Sequence, residues 1–416
     1  MNKKKIINDP VHGFIKIPSE LIFDIIEHPF VQRLRRIKQL ALSELIYPGA
    51  VHTRFNHALG AMHLMGMALN TLRSKGIEIS DEELEATQIA ILLHDIGHGP
   101  MSHALEYSLL KDVNHEHLSL LLMKKINEHL SGRITLAIEI FNDTYPRKFF
   151  HQLVSSQLDM DRLDYLLRDS FFTGVSEGKI GSDRIIKMLS VHKDNLVVEE
   201  KGIYSIENFL TSRRLMYWQV YLHKTNLSIE QMLIQLINRA RFLSKNGIDL
   251  YIPSYMRLFL ENEIKSEEIS LNEEYLEAFA SLDDYDIWAA IKIWVTHNDR
   301  ILSFISRLLL ERKLFKVILS KEVEQRHTVR GIKEKISKDL KLNLEETEYF
   351  VVQGSTSNEA YLDSAYKINI LNKKGELLDI AKASDLPNIK ALRKIVKKYY
   401  LCWLDTDQLV LSSFLK

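Results

Sequence analysis

The sequence contains almost no cysteine and no long apolar run. Cys402 is the single cysteine among 416 residues, so no intrachain disulfide can form, and its aromatic neighbours favour a buried position. No uncharged apolar run reaches the roughly 18 residues of a membrane span, and the basic start is not followed by an apolar segment. We therefore expect no transmembrane helix, no signal peptide and a cytoplasmic protein.

The chain also lacks an excess of charge of either sign. Its 55 lysine and arginine residues balance 55 aspartate and glutamate residues, so general nucleic-acid binding is not indicated, while a local basic pocket for a small anion stays open. A P-loop is absent, and Gly97-x-Gly99 has Ser102 where a dinucleotide fingerprint needs glycine. Any phosphate chemistry would therefore rest on a metal ion and side chains.

Helix breakers are scarce, with 8 prolines and 16 glycines, and 46% hydrophobic residues indicate a globular chain. The periodicity predicts a mainly α fold, with helices over 19–28, 31–42, 53–76, 80–95, 158–170, 207–240 and 270–318 and another capped by Asn114. A small hairpin is predicted around Lys201-Gly202. Strand-like segments near the end predict a C-terminal α+β appendage. We expect a core over 1–240, a helical extension over 241–325 and a small lobe over 326–416.

The segment ILLHDIGHGPMSHALE places His94 and Asp95 at the end of an apolar helix. Side chains splay at a helix end, so both can reach one point, and imidazole with carboxylate suits Fe, Mn, Ni, Zn or Mg. His57, within another helix that we expect to be buried, is a further candidate ligand. The alternative for His57 is a core histidine bonded to a backbone carbonyl. We interpret His103 as structural.

One face of the predicted helix 158–170 carries polar side chains. Asp161, Tyr165, Arg168 and Asp169 follow each other at i, i+4, i+7 and i+8. The rise from Asp161 to Asp169 is about 12 Å, roughly the distance from the phosphates of a nucleotide to its sugar or base. The alternative is a solvated helix with ion pairs such as Asp164 with Arg168.

Cationic and aromatic side chains offer further contacts for a nucleotide. Arginine binds phosphate in a fork geometry, and tyrosine packs against a sugar or base. Taken singly, each is better explained as a surface charge or a core aromatic. The candidates are Arg54, Arg162, Arg213, Tyr217 and Tyr221.

In their order along the chain, His57, His94-Asp95 and Asp161 resemble the H…HD…D signature of the HD-domain metal-dependent phosphohydrolases. Within that superfamily the likeness is closer to the deoxynucleoside triphosphate (dNTP) triphosphohydrolases and runs from about Lys5 to about Ile237. It implies an HD-domain helical core with an N-terminal regulatory-like segment, and hydrolysis of dNTPs to deoxynucleoside and triphosphate. The segments that carry it are NDPVHGFIKI, VQRLRRIKQL, YPGAVHTRFNHALG, LLHDIGHGPMSH, NHEH and LDMDRLDYLLRDSFFTGV.

The resemblance also implies roles for individual residues. One divalent transition metal (Fe, Mn, Ni or Zn) would be held by His57, His94, Asp95 and Asp161, with Mg²⁺ accompanying the substrate phosphates. Asp95 would share in catalysis with His98 and with His115, the general acid or base. Substrate contacts would come from Arg54, Arg162 and Arg213 at the phosphates, Tyr165, Asp169 and Tyr221 at the deoxyribose, and Gln39, Leu40 and Tyr217 around sugar and base.

Some positions depart from the family pattern. Tyr217 replaces a histidine that the mammalian member of this group has at the matching position, which leaves the base preference open. Lys5, Gln32 and Arg35 match a regulatory nucleotide site of the group, in which Glu27 replaces a shorter aspartate. The resemblance also implies a homo-oligomer.

Other HD subclasses fit less well, because positions 98 and 99 are not the Glu-Asp of the alarmone hydrolases and no Gly-Tyr-Pro motif is present. Two alternatives stay open. The chain could be an HD phosphohydrolase of another nucleotide, such as a mono- or diphosphate. It could also be a nucleotide-binding regulator without turnover.

Overall fold

The structure is a computed structural model that describes residues 5–102, 105, 114–358, 367–391 and 395–408. Helices dominate it, which confirms the predicted mainly α fold. In chain order they are α1 Glu20–Ile26, α2 Pro29–Arg33, α3 Arg54–Ser74, α4 Asp81–Leu93, α5 His115–His129, α6 Thr135–Phe141, α7 Lys148–Val154, α8 Met160–Thr173, α9 Ser182–Met188, α10 Ile203–Met216, α11 Lys224–Lys245, α12 Ser254–Glu261, α13 Ser266–Leu271, α14 Glu273–Ser281, α15 Asp284–Trp294, α16 Arg300–Leu310, α17 Arg326–Leu340, α18 Ile380–Ala383 and α19 Pro387–Ala391.

Short strands form three small sheets. The first is an antiparallel pair, the second has the order β3-β4-β7-β8 with β4 and β7 parallel, and the third is antiparallel with the order β5-β9-β6. The second sheet joins the core hairpin to the C-terminal strands. The strands are β1 Ile6–Asp9, β2 Gly13–Lys16, β3 Leu189–His192, β4 Asn195–Glu199, β5 Lys316–Ser320, β6 Val351–Asn358, β7 Asn369–Leu371, β8 Leu377–Asp379 and β9 Val396–Trp403.

Helix α3 lies at the centre of the core, packed against α4 and α8. It begins after Thr53, which forms a capping box with Asn56, and apolar side chains such as Met62 and Met65 are buried along its length. Its neighbour α4 begins at the predicted capping box of Ser80 and Glu83. Because three packed helices bury their apolar faces here, the polar side chains at their ends converge on one point.

A glycine permits the close approach of α5 to the segment that follows α4. A Cβ atom at Gly97 would lie 2.2 Å from the carbonyl oxygen of His115 and 2.3 Å from the amide nitrogen of Ser119. The Gly97 amide instead donates to the Ser119 hydroxyl at 2.9 Å, and Asn114 caps α5 as predicted. The first residues of α5 are thereby held against the end of α4.

Two local predictions were wrong. The hairpin is present, but its turn lies at Lys193-Asp194, whose φ angles of 50° and 57° suit a two-residue hairpin turn. Gly202 instead starts α10 at a close approach, where a Cβ would lie 2.6 Å from Val198. The helix predicted over 31–42 ends early, because the chain after Arg36 extends to pair Lys38 with Thr53.

Two predictions drawn from absences can be compared with the structure. Cys402 is fully buried in β9, as predicted. Among the described residues, no helix combines the length and the hydropathy needed to cross a lipid bilayer.

Candidate active site

Three core helices bring the four predicted metal ligands together. His57 lies in the first turns of α3, His94 and Asp95 follow α4, and Asp161 lies in the first turn of α8. The Nε2 atoms of His57 and His94 are 3.1 and 3.4 Å from the same oxygen, Oδ1 of Asp161. The carboxylate of Asp95 lies 3.3 Å from Nε2 of His94 and 3.9 Å from Nε2 of His57.

The other nitrogen of each ring fixes which nitrogen faces the cluster. Nδ1 of His94 lies 2.6 Å from the carbonyl oxygen of Ile91, and because a carbonyl can only accept, Nδ1 carries the proton. Nδ1 of His57 donates in the same way to Asp164 at 2.8 Å. Both Nε2 atoms are buried and lack a hydrogen-bond partner within the described ranges. Two such nitrogens beside two carboxylates fit a divalent transition metal.

The charges of this cluster depend strongly on each other. Burial opposes protonation of His57, but the nearby carboxylates of Asp161 and Asp164 outweigh it and raise its pKa to about 10. Burial likewise opposes ionisation of Asp161, yet contacts with His57 and His94 bring the pKa of that carboxyl well below its usual range. The carboxylates thus favour positive charge between them, and a metal ion binding here would release protons from the imidazoles.

A second titratable group adjoins the first. Asp95, His98 and His115 have ligand atoms within 4.8 Å of one another, and the rings of His98 and His115 stack at 4.0 Å. Arg54 donates to Asp95 and, at 2.9 Å, to the hydroxyl of Ser102. Burial, reinforced by the Arg54 charge, holds the pKa of His98 well below its ordinary value. His98 is therefore a neutral imidazole at neutral pH.

Two predicted phosphate contacts lie on neighbouring helices. Arg162 of α8 donates to Asp159 at 2.6 Å, and Arg213 of α10 donates to Gln157 at 3.1 Å. In each arginine the Nε atom is buried without a hydrogen-bond partner in the described part of the chain. Both guanidinium groups are thus anchored at one nitrogen and retain a donor at another.

The predicted aromatic contacts cluster beyond α10. Residues Tyr217–Tyr221 form one turn of π-helix, a feature that is frequent at functional sites. The ring of Tyr221 lies 5.3 Å from that of Tyr217 and 6.0 Å from that of Tyr165, both in edge-to-face contact. The three tyrosines therefore form one patch.

Asp169 ends the polar face of α8 and is bonded on both oxygens. Oδ1 lies 2.7 Å from Nε2 of His52, and Oδ2 accepts from the Tyr221 hydroxyl at 2.8 Å. The amide of Gln39 donates to the carbonyl oxygen of His52 at 3.0 Å, and the Gln39 side-chain oxygen is buried without a partner among the described residues. The neighbouring Leu40 is half-buried against the core.

The residues predicted to bind a regulatory nucleotide lie near the first helices. Arg35 donates to the side chain of Gln32 at 2.8 Å and lies over the ring of Phe55 at 3.7 Å. Lys5 instead lies over the ring of Phe23 at 4.5 Å. His103 falls outside the described residues.

The structure excludes two alternatives and adds side chains that the sequence did not reveal. The Asp164–Arg168 pair is fully buried, not solvated, and His57 bonds to a carboxylate, not to a carbonyl. His52 was missed, and so was His12, which bonds to Asp164 at 2.6 Å. The spacing of Asp161 and Asp164, one helical turn apart, was the one available signal for a second carboxylate behind the first.

Buried imidazoles and carboxylates that converge from three helix ends, with two nitrogens left unpartnered in the described part of the chain, are typical of a metal site. The HD domain family matches residues 54–169, and the HD associated region matches residues 180–249. A solved phosphohydrolase structure from Bacteroides thetaiotaomicron is 53% identical, with a TM-score of 0.94 over 97% of this chain and 100% of that chain. The uncharacterized protein YwfO of Bacillus subtilis is 30% identical over 96% of this chain and 92% of that protein. The chain belongs to the HD-domain phosphohydrolases.

A further relative carries the name of a dNTP triphosphohydrolase. The deoxynucleoside triphosphate triphosphohydrolase SAMHD1 homolog of Dictyostelium discoideum is 31% identical over 57% of this chain. The match covers 49% of that protein, about half of its length. The predicted relationship to the dNTP triphosphohydrolases is thus confirmed at the level of the family.

Proposed function

We propose that the protein hydrolyses dNTPs to a deoxynucleoside and inorganic triphosphate. The observation that carries this proposal is the convergence of His57, His94, Asp95 and Asp161, with two buried Nε2 atoms left unpartnered within the described ranges. A divalent transition metal (Fe, Mn, Ni or Zn) held by these residues would polarise the α-phosphate and activate a water molecule.

We assign proton transfer to His115, which is stacked on His98. His98 is neutral and stacks on His115, so it can hold that ring in place without adding charge. His115 exchanges a proton with the nucleophile or with the 5′-oxygen that leaves. The cation of Arg54 beside Asp95 offsets negative charge that develops on the phosphate.

The remaining residues bind the two ends of the substrate. Arg162 and Arg213 bind phosphate oxygens through their guanidinium groups, with Mg²⁺ on the same phosphates. At the sugar, Asp169 accepts from the 3′-hydroxyl and is oriented by Tyr221. Gln39, Leu40, Tyr165 and Tyr217 surround sugar and base.

A product assay tests the reaction. Protein loaded with each candidate metal is incubated with each dNTP and Mg²⁺, and the products are separated by ion chromatography. We expect deoxynucleoside and tripolyphosphate in equal amounts. Release of only phosphate or pyrophosphate would contradict this reaction and favour the alternative of another nucleotide phosphohydrolase.

Matched variants connect the activity with the site. Asp161→Asn replaces a carboxylate ligand with an amide, so we expect loss of the bound metal and of turnover. Asp183→Asn, an exposed position in α9, serves as the control and should retain both. Metal content by elemental analysis and turnover are measured on the same samples. If Asp161→Asn kept full turnover, the site would be wrong.

Regulation by a nucleotide at Lys5, Gln32 and Arg35, assembly into a homo-oligomer and a cytoplasmic location stay predictions. The bond between Gln32 and Arg35 supports the first, because it holds a guanidinium at the surface beside an amide. Measuring activity and mass with and without added nucleotide tests both regulation and assembly.

A further inference from the structure

A buried carboxylate, that of Asp164, lies behind the candidate metal centre. Asp164 of α8 accepts four hydrogen bonds: from Nδ1 of His57 at 2.8 Å, from Nε2 of His12 at 2.6 Å and from two nitrogens of Arg168 at 2.9 Å each. All the acceptor positions of the carboxylate are thus used. The orientation of Asp164, and with it that of the His57 ring, depends on these donors.

The donors on the far side come from the N-terminal hairpin. His12 lies in the turn between β1 and β2, with its side chain 8% exposed. Asp9, at the end of β1, accepts from the amide of His12 at 2.9 Å and from Arg168 at 2.7 Å. The turn is therefore fixed to α8 at two points, through the bond of His12 to Asp164 and the bond of Asp9 to Arg168.

Helix α3 leaves room for this network at one glycine. A Cβ at Gly60 would lie 2.0 Å from Oδ1 of Asp164 and 2.2 Å from a terminal nitrogen of Arg168. Gly60 lies one turn after His57, so the helix that carries the candidate ligand is also shaped around the carboxylate that orients it.

We infer that His12 is a positioning residue of the metal centre, which holds Asp164 so that the Nε2 atom of His57 faces the metal. The inference rests on the proposed metal-dependent function. A partner behind a metal-bound histidine fixes the ring and its tautomer, and loss of such a partner weakens metal binding by about 10- to 100-fold. The hairpin thereby contributes to metal affinity without contacting the metal.

The test measures affinity for Co²⁺ alone, by competition with a chelator, in the purified full-length chain. His12→Phe keeps a ring but removes the donor, whereas the side-chain amide of His12→Gln can still donate to Asp164. We expect Co²⁺ affinity to fall by about 10-fold in His12→Phe, the lower end of that range because Asp164 itself remains, and to stay near the wild-type value in His12→Gln. The control is His63→Phe, which removes a half-buried imidazole 5.7 Å from the His12 ring.

Melting temperatures with and without Co²⁺ separate positioning from packing. A positioning role predicts a smaller Co²⁺-induced rise in His12→Phe, since stabilisation by a ligand follows its affinity. An equal drop in melting temperature with and without Co²⁺, at unchanged affinity, would overturn the inference.

A second variant covers the case in which His12→Phe fails to fold. Asp9→Asn should then lower Co²⁺ affinity in the same direction, and an unchanged affinity in that variant would overturn the inference too. Wild-type protein that takes up no Co²⁺ would instead contradict the proposed function.

Discussion

At the scale of single residues, the two oxygens of Asp169 are assigned to different partners. His52 holds Oδ1 and the hydroxyl of Tyr221 holds Oδ2, so the carboxylate cannot rotate freely. A site that fixes a buried acceptor in this way rejects substrates whose hydroxyl groups do not match it. Under the proposed function, selectivity at the sugar should therefore depend on the hydroxyl group of Tyr221.

We predict that Tyr221→Phe weakens selection against ribonucleotides. Loss of the Tyr221 hydroxyl group leaves Oδ2 of Asp169 open to a 2′-hydroxyl. One hydrogen bond to a charged group is worth about 1.5–3 kcal/mol. The ratio of kcat/KM for a dNTP to that for the matching NTP should fall about tenfold or more. Tyr204→Phe removes the hydroxyl group of an exposed tyrosine and is the control. An unchanged ratio in Tyr221→Phe would disprove this role of the hydroxyl.

At the scale of elements, the packing of α3 on α8 depends on one missing side chain. Asp164 and Arg168 occupy the space beside Gly60, and both are fully buried and paired, so neither can move away at low cost. A Cβ added at Gly331, in the exposed part of α17, would meet no atom of the described residues within 4 Å. The two helical glycines offer opposite environments for the same change.

We predict opposite effects for the two alanine substitutions. Gly60→Ala should lower the free energy of unfolding by about 1–3 kcal/mol, because the added methyl group overpacks a buried ion pair. Gly331→Ala should raise it by about 0.5–1 kcal/mol, because alanine favours an exposed helix. Urea unfolding monitored by circular dichroism gives both values. A neutral Gly60→Ala would mean that the buried pair can rearrange freely.

The same elements show how far sequence reasoning reaches. Local signals sufficed where local contacts decide, as at the Ser80 capping box and the glycine-rich end of α4. The helix predicted over 31–42 failed because pairing of Lys38 with Thr53 overrides the local preference. The convergence of His57, His94, Asp95 and Asp161 was predicted from their order along the chain. His12 and His52 were not, because their carboxylate partners lie 152 and 117 residues away.

At the scale of the whole molecule, the helical extension fixes a loop of the candidate site. Arg33 donates to the carbonyl oxygens of Leu282 and His98, at 2.7 and 2.9 Å. The carboxylate of Asp284 accepts from the amide of Met101 at 2.7 Å, where φ is 53°. A strained loop persists only when its surroundings hold it, so the extension contributes to the site through this loop.

A partly buried acid lies in α11, next to the contact between the C-terminal strands and the core. Strand β5 packs on α11, where Ser228 donates to the carbonyl oxygen of Phe315 at 2.7 Å. Glu230, two residues further along α11, is partly buried, and burial raises its pKa to about 7. The pKa of Tyr400 in β9 is also raised, mainly by burial and to a lesser extent by Cys402 and by the charge of Glu230. Ionisation of Glu230 therefore opposes folding of this part of the protein.

This arrangement predicts a specific dependence of stability on pH. The unfolded chain ionises Glu230 from about pH 4.5, whereas the folded chain keeps the proton until about pH 7. The free energy of unfolding thus falls across that window and remains lower above it. Glu230→Gln removes the loss, so the variant should match the wild type near pH 4 and exceed it at pH 8 by about 1–3 kcal/mol. Urea unfolding across this range, with the exposed Glu277→Gln as control, measures the difference, and equal stability at pH 8 would contradict the buried acid.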